Sequence, residues 1–260
     1  FCFVHFTDTH THLFSEEFET DIDQVIQKSI EAGVNKFYLP NINSKTIAPM
    51  MDLCEKYPNN CFPMMGLHPS YVKDDFEEEL TLVEEWHSKQ SFVAVGEIGI
   101  DLYWDKTYLK QQQEAFRRQI NLAKKLHLPI IIHVRDSFNE VFEIIDELND
   151  DTLFGIFHCF TGTYDQAMKI IGYGGFKLGV GGVITFKNSG LDKVISKVEL
   201  EHLVLETDSP YLTPAPFRGK RNESSFLPLI AQKLADVKQV AIEKVAKITN
   251  KNANQVFYGR

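Results

Sequence analysis

Short apolar runs rich in Val, Ile and Phe alternate along this chain with longer stretches whose apolar residues recur every three to four positions. The runs fall at residues 3–6, 36–40, 61–65, 92–95, 129–132, 153–157, 175–180 and 203–205, and each has the length of a strand. Their hydrophobicity is continuous rather than alternating, which predicts strands covered on both faces, as in a parallel sheet wrapped by helices. Amphipathic segments at 21–33, 46–57, 76–88, 109–127, 137–148, 164–173 and 191–197 separate them. In the first, Ile22, Val25, Ile26, Ser29 and Ile30 share one helical face, Asp21 suits the first turn and Gly33 the C-terminal stop. Further helices are predicted at 224–233, 235–246 and 251–257, where they would cover the exterior. Eight strands, each followed by a helix in about 250 residues, predict a single (β/α)8 TIM barrel, with a doubly wound open sheet as its rival. No linker, repeat or low-complexity tract divides the chain, so 1–260 reads as one domain.

In such barrels the chemistry gathers where the C-terminal ends of the strands meet the loops. The string Asp8-Thr-His10-Thr-His12 follows the first run, and the period of a strand puts Asp8, His10 and His12 on one face. His68 follows the third run, Glu97 and Asp101 the fourth, His133, Arg135 and Asp136 the fifth, His158 and Cys159 the sixth, and Glu206 and Asp208 the eighth. Five histidines at the same ends of their strands predict a metal centre, whereas His5, His87, His127 and His202 fall elsewhere and read as structural or solvated.

Composition narrows the rest, at 43% hydrophobic and 24% charged residues. Four cysteines without close pairing suggest reduced thiols and a cytoplasmic protein. No apolar stretch reaches membrane-spanning length, and the first residues lack a basic segment leading into a long apolar one, so neither anchor nor secretion signal is expected. A net charge of −9 argues against coating nucleic acid non-specifically, but leaves room for an enzyme that grips a few phosphates through bound cations.

The blocks Asp8-Thr-His10-Thr-His12-Leu, Gly66-Leu-His68-Pro69, Gly96-Glu97-Ile-Gly-Ile-Asp101, Ile132-His133-Val-Arg135-Asp136, His158-Cys-Phe-Thr-Gly162 and Glu206-Thr-Asp208-Ser-Pro210 run in order over nearly the whole chain. Together they resemble the TatD-type metal-dependent deoxyribonucleases of the amidohydrolase-like barrels. Arg218-Gly-Lys-Arg221-Asn222-Glu223 also resembles a family element, although Ser224 stands where the family often has Pro. By this resemblance Glu97 occupies the place where many amidohydrolase relatives carry a carboxylated lysine between two metals, and its own carboxylate can bridge them unmodified.

The resemblance implies two divalent ions per chain, magnesium, manganese or zinc, with His10, His12, Glu97 and Asp208 around one and Glu97, His133 and His158 around the other. Asp208 would orient or deprotonate the attacking water; its alternative is a capping role before Pro210. His68 suits contact with a phosphate oxygen or protonation of the leaving group, or else a turn before Pro69. Arg135 fits a phosphate clamp or an ion pair with Asp136, Glu97 or Asp101. Arg218, Lys220 and Arg221 suit a nucleic acid backbone or plain solvation, and Tyr103 and Trp104 suit base stacking or packing over the barrel mouth. The implied activity is that of a 3′-5′ deoxyribonuclease on DNA, single strands or strand ends, by a monomer. Hydrolysis of another ester or amide, for example on aminoacyl-tRNA, is the nearest rival, and a non-catalytic metal-binding scaffold the more distant one.

Overall fold

The computed structural model describes residues 4–259, so Phe3, at the start of the first predicted strand, and Cys2 lie outside the described residues. Strands and helices alternate as β1 (Phe6–Asp8), α1 (Ile22–Glu31), β2 (Val34–Pro40), α2 (Ile47–Lys56), β3 (Cys61–Met64), α3 (Phe76–Lys89), β4 (Val95–Asp101) and α4 (Leu109–Leu126). The chain continues through β5 (Ile130–Arg135), α5 (Phe138–Leu148), β6 (Gly155–Phe157), α6 (Tyr164–Gly172), β7 (Phe176–Val180), α7 (Leu191–Ile195), β8 (Leu203–Leu205), α8 (Leu227–Lys238) and α9 (Ile242–Tyr258). Every strand pairing is parallel. The ladder forms two arcs, β1-β2-β3 and β4-β5-β6-β7-β8. Backbone hydrogen bonds join them at both seams: Met65 donates to Ala94 (3.2 Å) and Gly96 to Met65 (3.1 Å) on one side, Thr9 to Leu205 (3.1 Å) on the other. Closure at both seams makes this the (β/α)8 barrel and excludes the open sheet.

Continuous apolar strands bury both faces, as the sequence requires. In β5, Ile130 and Ile132 join the large cluster beneath the helices, while Ile131 joins Tyr38, Met64, Ala94, Ile156 and Val204 in a second, smaller cluster. Helix α9 completes that smaller cluster, with Phe257 stacked on Tyr38 at 3.8 Å between ring centres. Each such side chain contributes roughly 1.5–3 kcal/mol on burial. Among the described residues no helix is long and apolar enough to cross a membrane.

Several boundaries differ from the sequence expectation. β4 runs over Val95–Asp101 rather than 92–95, because Gly96 and Gly99 look like loop in sequence yet are strand here. β1 extends to Asp8 rather than ending at Phe6. The last three predicted helices are two, divided after Gln239, whose φ of 53° ends α8 with no Gly or Pro to announce it. Gly33 does end α1, at φ 90°, where a Cβ would lie 2.5 Å from the Val4 carbonyl oxygen. Asp21 makes no capping hydrogen bond, and Ile30 is exposed rather than on the buried face.

Candidate metal centre

The centre is built around β4. Gly96 pairs with Ile131 and Ile98 with Ile132, so Glu97 is the extra residue of a bulge, the device that re-aims a strand side chain. Five imidazoles surround its buried carboxylate. Oε1 lies 2.8 Å from His133 Nδ1, 3.0 Å from His158 Nε2 and 3.3 Å from His68 Nε2. Oε2 lies 3.1 Å from His10 Nε2 and 3.5 Å from His12 Nε2. Asp208 completes the group, its Oδ1 3.5 Å from His10 Nε2 and 3.4 Å from His12 Nε2. Asp208 has a left-handed backbone, φ 56°, which Asp tolerates better than most residues, and its amide donates to the His10 carbonyl at 2.9 Å.

Other groups decide which nitrogen of each ring faces inward. His133 Nε2 lies 2.8 Å from Asp101 Oδ2, leaving Nδ1 for the centre. His158 Nδ1 lies 3.1 Å from Glu206 Oε1, an oxygen that also accepts the Cys159 amide at 2.6 Å, leaving Nε2. His68 Nδ1 accepts the Ser70 amide at 3.0 Å, so the neutral ring carries its proton on Nε2, toward Glu97. Hence His68 both caps the turn at Pro69 and faces the centre. Sequence reasoning named Asp101 only as a candidate ion-pair partner of Arg135 and assigned no role to Glu206 or to Asn41, which accepts the Glu97 amide through its carbonyl at 3.3 Å. For the first two, a carboxylate at a strand end beside an imidazole was the available signal. Asp8 parts from the two histidines: its carboxylate accepts the Thr207 amide and hydroxyl at 2.9 and 2.6 Å and the Ser224 hydroxyl at 2.7 Å. Burial pushes the Asp8 pKa up to about 7 against those hydrogen bonds.

Burial opposes ionisation of Glu97, yet His68, His158 and His10 outweigh it and hold the carboxyl well below its usual range. Asp208 is lowered likewise, burial being overcome by His12, His158 and His10. Burial lowers His10 and His68 toward the neutral form. His133 and His158 overcome burial through their carboxylates and are raised.

The donor set fits divalent cations. The Nε2 atoms of His10 and His12 approach to 3.3 Å, and both point at the same carboxylate oxygens. Each of three triplets, His10-His12-Asp208, His10-His158-Glu206 and His68-Glu97-His133, the first two sharing His10, has its ligand atoms within 4.8 Å of one another. Imidazole nitrogen and carboxylate oxygen converging at this spacing is the chemistry of a divalent metal site.

A cavity of about 830 Å³ opens over this cluster, and Arg135, Tyr71, Trp104 and Tyr211 share its lining. Arg135 forms none of the expected ion pairs and lies over the Tyr103 ring instead. Arg218 and Arg221 are not brought to the cavity. Arg218 covers the Phe186 ring at 3.6 Å, and Arg221 makes a two-pronged ion pair with Asp21, at 2.9 and 2.7 Å. Lys220 lies over Phe217.

The family model for TatD related DNase matches residues 7–258. This chain belongs to the TatD family. As such it is a metal-dependent hydrolase. Its TatD relatives include the uncharacterized metal-dependent hydrolase YabD of Bacillus subtilis, 39% identical over 96% of this chain and 98% of YabD. The 3'-5' ssDNA/RNA exonuclease TatD of Yersinia pseudotuberculosis is 30% identical over 96% of this chain and 98% of that protein. Among solved structures, YjjV, a TatD homologue from Escherichia coli, superposes with a TM-score of 0.89 at 30% identity, covering 98% of both chains.

Proposed function

We propose that this metal-dependent hydrolase is a nuclease that removes nucleotides from the end of single-stranded DNA. The observation that carries the reading is the Glu97 carboxylate, placed between two sets of imidazoles on the floor of an open cavity. His10, His12 and Asp208 would hold one divalent ion and His133 and His158 a second, with Glu97 shared; magnesium, manganese and zinc are the candidates. Bound there, the ions supply Lewis acidity to a phosphodiester and lower the pKa of water.

The protein groups do the rest. Asp208, kept ionised by three imidazoles, accepts the proton of the attacking water. His68, a neutral ring with its proton on Nε2, keeps that proton and donates a hydrogen bond to a phosphate oxygen, so the expected role in protonating the leaving group is not carried over. Arg135, at the end of β5, supplies positive charge to the substrate phosphates. The exonuclease relative from Yersinia pseudotuberculosis supports the choice of substrate. Neither Arg218 nor Arg221 takes part.

The test is cleavage of a 5′-labelled single-stranded DNA oligonucleotide by protein stripped of metal and reloaded with magnesium, manganese or zinc. The expected result is a ladder of shortened products that requires the ion and falls about 10²–10⁴-fold in Asp208→Asn. No cleavage with any ion, in protein shown to bind two, would overturn the nuclease and leave hydrolysis of a carboxylic ester or amide.

A further inference from the structure

The rim of the cavity carries an aromatic surface that the hydrolytic chemistry does not use. Trp104, in the loop after β4, is 78% exposed and lines the mouth. That exposure rules out packing over the barrel as its role. Tyr103 is 50% exposed and meets Trp104 edge to face, ring centres 4.6 Å apart. The Arg135 guanidinium carbon lies 3.7 Å from the centre of the Tyr103 ring and 5.8 Å from that of Trp104. No carboxylate among the described residues pairs with Arg135, so its N–H groups are available to an anion.

This surface is tied to the metal-facing groups through one side chain. Asp101 accepts the Tyr103 amide on Oδ1 at 3.0 Å and holds His133 through Oδ2 at 2.8 Å. Asp101 therefore ties the start of the aromatic pair to His133.

We propose that Trp104, Tyr103 and Arg135 form a nucleobase platform: an unpaired base stacks on Trp104 while Arg135, lying flat on Tyr103, bonds the phosphate beside it. The proposal rests on the nuclease reading and deepens it. A solvent-exposed indole beside a stacked arginine offers a π-face and a cation together, which suits a nucleotide with its base free. A base within a duplex has no free face to give, so the platform selects single strands and frayed ends. It selects little among sequences, since every base has a π-face.

Binding separates the base from the phosphate. Thymidine 5′-monophosphate and 2-deoxyribose 5-phosphate share the phosphate and sugar and differ in the base, and both can be titrated calorimetrically into the metal-loaded protein. Thymidine monophosphate is expected to bind at least about tenfold tighter. Trp104→Ala should bring that ratio toward one, Trp104→Phe should keep most of it, and Arg135→Ala should weaken both ligands by a similar factor. The protein has two tryptophans, so the nucleotide should also quench a fluorescence component that Trp104→Phe lacks. Equal affinities, no binding by either compound, or a ratio that survives Trp104→Ala would overturn the platform. Oligonucleotide cleavage is scored separately. Base-dependent binding without cleavage would remove the nuclease and keep the platform, whereas cleavage with base-independent binding would remove the platform alone.

Discussion

An imidazole offers two nitrogens, and in this site a second group holds one of them so that the other can face a cation. Asp101 does this for His133 and Glu206 for His158, whereas Ser70 leaves His68 with its proton on Nε2, and Nδ1 of His10 and of His12 has no hydrogen-bond partner among the described residues. Glu206 is fully buried and committed to this task, its Oε1 shared by His158 and the Cys159 amide and its Oε2 pressed to where a Cβ on Gly179 would lie 2.2 Å away. Replacing a carboxylate behind a metal-facing histidine typically costs 10–100-fold in metal affinity. Glu206→Gln should therefore weaken ion binding by about that factor in competition with a chelating dye. Affinity equal to wild type would show that this carboxylate does not set the His158 ring. The sequence placed Asp101 and Glu206 at strand ends beside Glu97 and Asp208, but spacing does not say which carboxylate meets the ion and which the back of a ring. Backbone geometry decides that, through the bulge at Glu97 and the left-handed φ of Asp208.

Elements were legible where one physical signal dominated. The continuous apolar runs located six of the eight strands and only the first residues of β1 and β4, and the 3.6-residue period located α1 to α7, because burial on both faces or on one stripe leaves a direct mark on composition. β4 was misplaced because its functional half trades apolar side chains for glycine. Gly96 lies so close to β5 that a Cβ would sit 2.7 Å from Ile131 Cβ, an atom that cannot swing aside. Gly96→Ala should therefore force the backbone at Glu97 to shift, costing about 1–3 kcal/mol. For a chain of this size that is roughly 2–12 °C in Tm. Metal affinity should fall with it, since Glu97 is the next residue. Gly172→Ala is the control, because its Cβ would meet nothing within 4 Å and the same change there should be neutral or slightly stabilising. Equal melting temperatures for the two variants would refute the close-approach argument. The basic loop shows the opposite failure. Arg221 looked free in sequence because its partner Asp21 lies 200 positions away, and only the closed barrel brings the two together.

The two arcs of the barrel give the metal centre a second consequence, for the molecule as a whole. His10 and His12 follow β1 in the three-stranded arc, whereas Glu97 and His133 lie within β4 and β5 and His158 and Asp208 follow β6 and β8, all in the five-stranded arc. A cation held by both sets joins the arcs across the seams, where a few backbone hydrogen bonds such as Thr9 to Leu205, Asp208 to His10, Met65 to Ala94 and Gly96 to Met65 otherwise do the joining. A ligand that binds only the folded state stabilises by about 2.7 kcal/mol at a hundred times its dissociation constant. Adding the activating ion to chelated protein should accordingly raise Tm by roughly 5–10 °C. The gain should vanish in Glu97→Ala, which removes the group common to both sets. The arc argument makes a sharper claim than mass action alone, because it says where the stability goes. Hydrogen exchange of the Thr9, Met65 and Gly96 amides should slow on metal binding by more than that of amides inside β5–β7, which one arc already holds. Uniform slowing across all strands would mean that the ion stabilises the barrel without joining its halves, and an unchanged Tm would mean that the ligand set does not span them.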